Sequence, residues 1–470
     1  IRVYIDLKLC YSIDTYEVVM KQRKKHFFNT FFIIFFNIIA IILLLYIHRT
    51  IEVSNIIFQQ FNANEGTYSI EISKTQNFFD FIDSSFECIA TNGEEEIRNF
   101  SINNSCLLTL PIHQDYEIYL QNHNLYSKKY RLLDYLDNLL TFSFNYSTIY
   151  LVIGEESPIE FSAQFIYPEE IDYHFTSSDE SIAIIDNNKI KALKAGTTMI
   201  SSPLTEKKLK VIVTDLITLP TYQKQYKQNL PCHRYNQEEA NLLDSFLEYR
   251  IHKVGDQTRA AAIEAARFLT LSFPYRIPYF YENGRVHESG INYVDGEGRY
   301  YKKGLYLNES KFANIQATFS GPAIWGCPLT NWEPDEEFGY YPGVKKPNGL
   351  DCSGFVAWVL INAGFDPGDI GAGETEYPYQ MTDLGKYTEL TFSLIRSNTI
   401  KVGDLVNYWG HIGIIIGIDE DSIYVAESLQ NFGGVVARKY SKYTINQTFD
   451  HVVLMDDFYK KEGIYSNMWN

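Results

Sequence analysis

The sequence is poor in the features that mark several large functional classes. Cationic residues are in the minority: 41 Lys and Arg stand against 58 Asp and Glu, a net charge of −17. No basic cluster is long enough to follow a phosphate backbone, which argues against a nucleic-acid partner. Cysteine is sparse, at positions 10, 88, 106, 232, 327 and 352. These form no CxxC and no Cys/His spacing of the zinc type, so no structural metal site is expected. Cys88 with Cys106, and Cys232 with Cys327, are available to pair in an exported module, but sequence alone does not fix a Cα separation. Uninterrupted apolar stretches are also rare, and the single long one is informative for that reason.

That stretch is Phe27–Ile47, FFNTFFIIFFNIIAIILLLYI, 21 residues without a charge. At about 1.5 Å per residue it is roughly 30 Å long, one hydrocarbon thickness. KQRKKH precedes it and only His48-Arg49 follows. The asymmetry places residues 1–26 in the cytosol and everything after residue 50 outside. No small-x-small cleavage site follows, so a retained anchor is expected rather than a cleaved signal. The first methionine, Met20, stands directly before the basic run, and translation is expected to start there.

A chain of 470 residues exceeds one ordinary domain. Residues 51–141 carry short alternating runs such as TYSIEIS and YEIYLQN, broken by Asn, Gly and Ser, and read as a small β-sandwich. In residues 142–216, KIKALKA alternates with Ile190 and Ala192 inward and Leu193 a further inward candidate, after an Asn187-Asn188 pair that tolerates positive φ. The stretch FTSSDESIAIIDNNKIKALKAGTTMI resembles a bacterial immunoglobulin-like domain of group 2, through Ser177-Ser178-Asp179, Ile182–Ile185, Asp186-Asn187-Asn188 and Ala195-Gly196-Thr197. Residues 217–236, with Pro220 and Pro231, read as a linker. QEEANLLDSFLEYRI and TRAAAIEAARFLTLSF then have helical spacing and open a C-terminal domain over 237–470.

Within that domain, NGLDCSGFVAWVL places Cys352 between Asp351 and Ser353-Gly354 at the head of an apolar run that ends at Gly364. Helical spacing with a glycine stop predicts a helix N-capped by Asp351. Its free N–H groups and dipole favour a thiolate at Cys352, while the Asp351 charge opposes one. A nucleophile then needs a base, and KVGDLVNYWGHIGIIIGI supplies His411 at the start of an alternating strand. Gly413 and Gly417 are expected to leave the face of His411 open to a helix or substrate. SIYVAESLQ returns as the neighbouring strand. A turn centred near Glu420 puts Glu427 on the face of His411; a centre half a residue later puts Ser428 or Gln430 there.

These residues resemble the NlpC family of cell-wall cysteine peptidases. The likeness rests on Asp351-Cys352-Ser353-Gly354-Phe355, Gly403-Asp404-Leu405 and His411-Ile412-Gly413-Ile414, in that order. It implies an α+β papain-like domain, preceded by all-β Ig-like modules and one transmembrane helix. It implies catalysis by Cys352, His411 and a polar third residue, here Glu427, with no metal or organic cofactor. It further implies that Asp351, Ser353 and a tyrosine shape a substrate-binding site that can read a free amine. Tyr279 in RIPYFYENG matches that tyrosine, although Tyr281 stands in place of the family's Trp and Glu282-Asn283 in place of its Gly pair; Tyr341 is the alternative. The implied substrate is the peptidoglycan stem peptide, often cut after γ-D-glutamate. The rival readings are an amidase or acyl transferase on the same fold, or a non-catalytic wall-binding adhesin. An insertion over roughly 285–348, rich in Gly, Pro and aromatics, is expected to wall the substrate groove.

Overall fold

The computed structural model describes residues 2–47, 50–76, 85–167, 173–222, 236–279, 326, 328–330, 345–347, 349–367, 370–372 and 384–469. The chain divides into two units, residues 1–145 with 161–173, and residues 146–160 with 174–470.

The first unit opens with one helix, α1 (Arg2–Ile47), whose Met20–Leu45 portion is long and apolar enough to cross a membrane. An antiparallel sheet of Val53–Asn62, Thr67–Lys74 and Ser105–Pro111 follows, with a second sheet built on Glu87–Thr91 and Glu117–Asn122. Alternation explains the pairing: in SCLLTLP, Cys106, Leu108 and Leu110 are buried while Leu107 and Thr109 are exposed. Tyr68, Ile70 and Ile72 from one sheet meet Cys88, Ile118 and Leu120 from the other in a single core. Cys88 and Cys106 join the two sheets as a disulfide, with Cα atoms 6.3 Å apart. Cys232 and Cys327, the other candidate pair, lie outside the described residues. Leu139–Phe144 and Phe161–Phe165 pair with each other and belong to this unit, so the chain crosses the boundary expected near residue 142.

The second unit begins with two further sheets. One orders Thr148–Val152, Thr205–Thr214, Gly196–Ser202 and Thr176–Ser177; the other orders Glu156–Pro158, Lys189–Ala192 and Ala183–Asp186. Asn187 and Asn188 take φ of 49° and 59°, which closes the two-residue hairpin between the last two strands. Ile190 and Ala192 are buried, but Leu193 is exposed, because the strand ends at Ala192. Residues 217–222 do not behave as a free linker. Ile217 is buried in the core of this unit, Thr218 N–H donates to the Ser272 carbonyl, and the Tyr222 ring packs on Tyr424.

Helix α2 (Gln237–Val254) starts from a capping box made by Asn236 and Glu239. Helix α3 (Arg259–Arg267) is capped by Thr258 and runs into a π-helical turn, Phe268–Ser272. Helix α4 (Cys352–Asn362) is apolar on all sides and buried on all sides. It packs on an antiparallel six-stranded sheet ordered Lys386–Glu389, His451–Leu454, Leu405–Tyr408, His411–Ile418, Ser422–Leu429 and Gly434–Ser441. Ile412, Ile414 and Ala426 face the helices; Val406, Ile415, Val425 and Phe449 form a second core on the opposite face. Within the expected insertion, Pro328–Thr330 and Lys345–Pro347 form an antiparallel pair, a strand pairing that its sequence does not announce.

A buried ionic cluster locks the end of the chain to this unit. Arg259, fully buried, donates through Nη1 to Asp404 Oδ1 at 2.8 Å and pairs with Asp456 and Glu462. Asp404 also accepts from Met455 N–H at 3.0 Å and Lys401 N–H at 2.8 Å. The Gly403-Asp404-Leu405 motif is thereby given a structural role.

Candidate functional site

Cys352 is the first residue of α4. Asp351 Oδ1 accepts from Gly354 N–H at 2.6 Å and from Ser353 Oγ at 3.2 Å, so the residues flanking the cysteine set the helix start together. The strand residue Ser428 donates through Oγ to the Leu350 carbonyl at 2.6 Å and ties that start to the sheet. Leu350 N–H donates to the Pro278 carbonyl at 2.9 Å, which brings the Tyr279 segment alongside despite its distance in sequence. Tyr279 itself is half-buried. The alternative Tyr341 lies outside the described residues, as does most of the insertion.

The thiol sits against the turn that introduces the histidine strand. Cys352 Sγ donates to the Gly410 carbonyl at 3.9 Å. Gly410 belongs to a two-residue turn, Trp409-Gly410, closed by the pairing of Tyr408 with His411. Cys352 is only 7% exposed. Burial, helped by the Asp351 charge, pushes its pKa up to about 12, against the opposing pull of backbone N–H groups at the helix start and at Ile412. The sequence leaves the helix start and the Asp351 charge opposed, and burial decides between them. The helix N-terminus does stabilise the anion, but desolvation by burial outweighs it, and Cys352 rests as a neutral thiol.

His411 is 4% exposed and Glu427 fully buried. His411 Nε2 lies 2.7 Å from Glu427 Oε2. A carboxylate only accepts, so Nε2 is the donor in this contact and Nδ1 is left as the ring's other nitrogen. Rings flank the imidazole: Tyr408 at 5.0 Å and Phe449 at 6.2 Å between centroids. Glu427 lands on this face because of a bulge. Beyond the turn, Ile418 pairs with Ile423 and Gly417 with Tyr424. If that register continued, Gly413 would face Ser428. The extra residue, Ile416, shifts the pairing so that Ile415 meets Val425 and Gly413 meets Glu427.

Neither strand glycine opens the face of His411. A Cβ on Gly413 would stand 2.6 Å from Val425 Cγ1 and 3.2 Å from Glu427 Cβ. Gly413 thus admits the neighbouring strand, not a helix or substrate. Gly417 lies past the bulge, against the ring of Trp469. Ser428 and Gln430, the other candidates for the third position, stand elsewhere: Ser428 holds the helix start and Gln430 is exposed in a short 3-10 turn.

Sequence reasoning missed two residues on the last strand of the sheet. Tyr440 Oη donates to Glu427 Oε1 at 2.7 Å, and Arg438 Nη1 is 3.5 Å from the same oxygen. Their alternation in VVARKYS was legible, but not which acidic residue they would face. Among the described residues, no group of three or more His, Cys, Asp or Glu is arranged to hold a metal ion.

No family model matches the chain, and no curated protein matches it significantly. Among solved structures, the bacterial S-layer protein SbsC aligns at 13% identity over 37% of this chain and 30% of that chain, with a TM-score of 0.16. Domains 4 and 5 of SbsC align at 14% identity over 30% of this chain and 82% of that chain, with a TM-score of 0.15. The three N-terminal domains of the highly immunogenic outer capsid protein of bacteriophage RB49 align at 11% identity over 36% of this chain and 62% of that chain, with a TM-score of 0.15. The chain thus spans less than a third of the first of these structures, and TM-scores this low carry no argument about fold or function.

Proposed function

We propose that the chain is a membrane-anchored, extracytoplasmic cysteine peptidase with a papain-like catalytic domain of the NlpC type, acting on amide bonds of peptidoglycan stem peptides. The observation that carries the reading is the grouping of Cys352 at a helix start, against the carbonyl that precedes His411, with His411 held 2.7 Å from a buried carboxylate. On this reading Cys352 is the nucleophile, His411 the base and Glu427 the group that orients it. The Cys88–Cys106 disulfide supports exposure to an oxidising compartment, and the apolar α1 supports an anchor with residues after 50 outside.

Because the thiol is neutral at rest, attack and deprotonation are coupled. The Cys352 proton passes to His411 Nδ1 as sulfur bonds to the carbonyl carbon, whose oxygen becomes an oxyanion. Backbone N–H groups at the start of α4 face that charge. The tetrahedral centre collapses, the C–N bond breaks, and the leaving amine takes the proton from His411. Water then attacks the thioester, gives a proton to His411, and the released thiolate recovers it. Glu427 stabilises the imidazolium in both halves of the cycle. By the family resemblance, Asp351, Ser353 and Tyr279 would meet a free amine on the stem peptide.

The test is digestion of purified peptidoglycan by the detergent-solubilised chain, with mass analysis of the fragments. Products cut within the stem, after γ-D-glutamate, support the proposal. Release of whole stems from glycan would mark an amidase, and binding without products would mark a wall-binding protein. Either result rejects the endopeptidase reading.

A further inference from the structure

Glu427 is fully buried, and three donors from two strands converge on it. His411 occupies Oε2; Tyr440 and Arg438 occupy Oε1. We infer that Tyr440 and Arg438 are positioning residues that keep Glu427 a carboxylate turned toward His411, and so set the pH range in which His411 can accept the Cys352 proton. The inference rests on the peptidase reading for its purpose, but the coupling it describes is a property of the chain itself.

The geometry supports two distinct contributions. The Tyr440 hydroxyl is held by its own ring, buried against Phe449 at 5.3 Å. Burial and the adjacent Glu427 charge push its phenol well above the ordinary range, so it stays a donor at every working pH. Fixing Oε1 fixes the carboxylate plane and aims Oε2 at Nε2. Arg438, one-third exposed, has its guanidinium over the rings of Phe432 at 4.3 Å and Tyr440 at 4.8 Å, which holds its charge beside Oε1. The other titratable groups at the site are Tyr408, whose ring packs at a tilt on His411, and Cys352 with Asp351 at the helix start. None of these donates to Glu427 among the described residues, so Tyr440 and Arg438 are its partners besides the imidazole.

The direction follows from charge counting. The catalytic resting form has Glu427 ionised and His411 neutral, one negative charge in all. A hydroxyl dipole and a guanidinium stabilise that form more than the neutral pair made when His411 is protonated. Removing either partner therefore raises the proton affinity of the pair, and the acid limb of activity moves to higher pH.

The experiment is a pH titration of the full chain in detergent micelles, carrying histidine labelled with carbon-13 at Cε1, with His411 assigned by loss of its signal in His411→Gln. Tyr440→Phe and Arg438→Gln should each raise the His411 midpoint by about one pH unit, the scale of one charged hydrogen bond, and Arg438→Lys should restore most of it. Peptidoglycan turnover by the same proteins should show the acid limb displaced by the same amount, with KM little changed. Unmoved midpoints in folded Arg438→Gln and Tyr440→Phe would overturn the inference. Should Tyr440→Phe fail to fold, the Arg438 pair decides alone, since that side chain is one-third exposed. If the midpoints move but the unaltered chain cleaves no peptidoglycan, the coupling stands and the proposed activity falls.

Discussion

Replacing Asp404 by Asn tests whether the Gly-Asp-Leu motif holds the second unit together. Asp404 is 1% exposed and Arg259 fully buried, so their 2.8 Å contact has almost no solvent to replace it. An Asn keeps the shape and one acceptor. It removes the charge, and its amide N–H groups confront either Arg259 or the Lys401 N–H. Removing one partner of a buried pair costs about 3–5 kcal/mol. The loss falls at the lower end here, because Arg259 keeps Asp456 and Glu462, both half-exposed carboxylates. At roughly 2–4 °C per kcal/mol for a large domain, about 3 kcal/mol lowers the second unit's melting temperature by about 6 °C or more. The assay is thermal unfolding of the full chain in detergent, followed by near-ultraviolet circular dichroism. Asp456→Asn is the control: that side chain is 57% exposed, and its loss should cost under about 1 kcal/mol. A melt of Asp404→Asn indistinguishable from the unaltered chain would refute the reasoning, since a surface-like substitution moves stability by no more than about 0.5 kcal/mol.

Further perturbations address the site. Cys352→Ala and His411→Ala should abolish peptidoglycan turnover without unfolding the chain, whereas Glu427→Gln should lower kcat by roughly 10- to 100-fold, the worth of about 1.5–3 kcal/mol from a charged hydrogen bond; full activity of Glu427→Gln would remove Glu427 from the mechanism. Gly413→Ala should cost about 1–3 kcal/mol through the collision of its Cβ with Val425 and Glu427, and should depress kcat more than KM; wild-type kinetics would mean the contact relaxes without moving Glu427. In the substrate-free chain, iodoacetamide labelling of Cys352, read by peptide mass spectrometry, should stay slow through neutral pH and rise only in alkali, because burial pushes the thiol up to about 12. The same shift, upward from an ordinary value of about 8.5, adds stability that is fully present below that value and is lost as pH climbs toward the folded one; half-maximal labelling near neutrality would contradict it.

What the sequence determined by itself are the features governed by near neighbours. The apolar stretch 27–47 is helical in any setting that satisfies its backbone. Asp351 caps α4 because a carboxylate three residues before Gly354 finds a free N–H there, and Asn187-Asn188 makes a hairpin because both residues tolerate positive φ. Cys352, His411 and Glu427 were all legible as chemistry-bearing residues in their places on helix and strand. Tertiary structure decided how His411 and Glu427 meet. Strand side chains alternate with a period of two, so one inserted residue exchanges the faces of everything beyond it, and the bulge at Ile416 is what presents Glu427, not Ser428, to His411. The state of the Cys352 thiol was likewise beyond local reading. The helix start and Asp351 are local terms of opposite sign, but the desolvation that outweighs them comes from strands that fold over the cysteine from far along the chain. The partners of Glu427 on the last strand of the sheet, Arg438 and Tyr440, and the packing of residues 217–222 onto the second unit follow from the same cause: they depend on which surfaces are brought together, and periodicity within one segment carries no information about its neighbour.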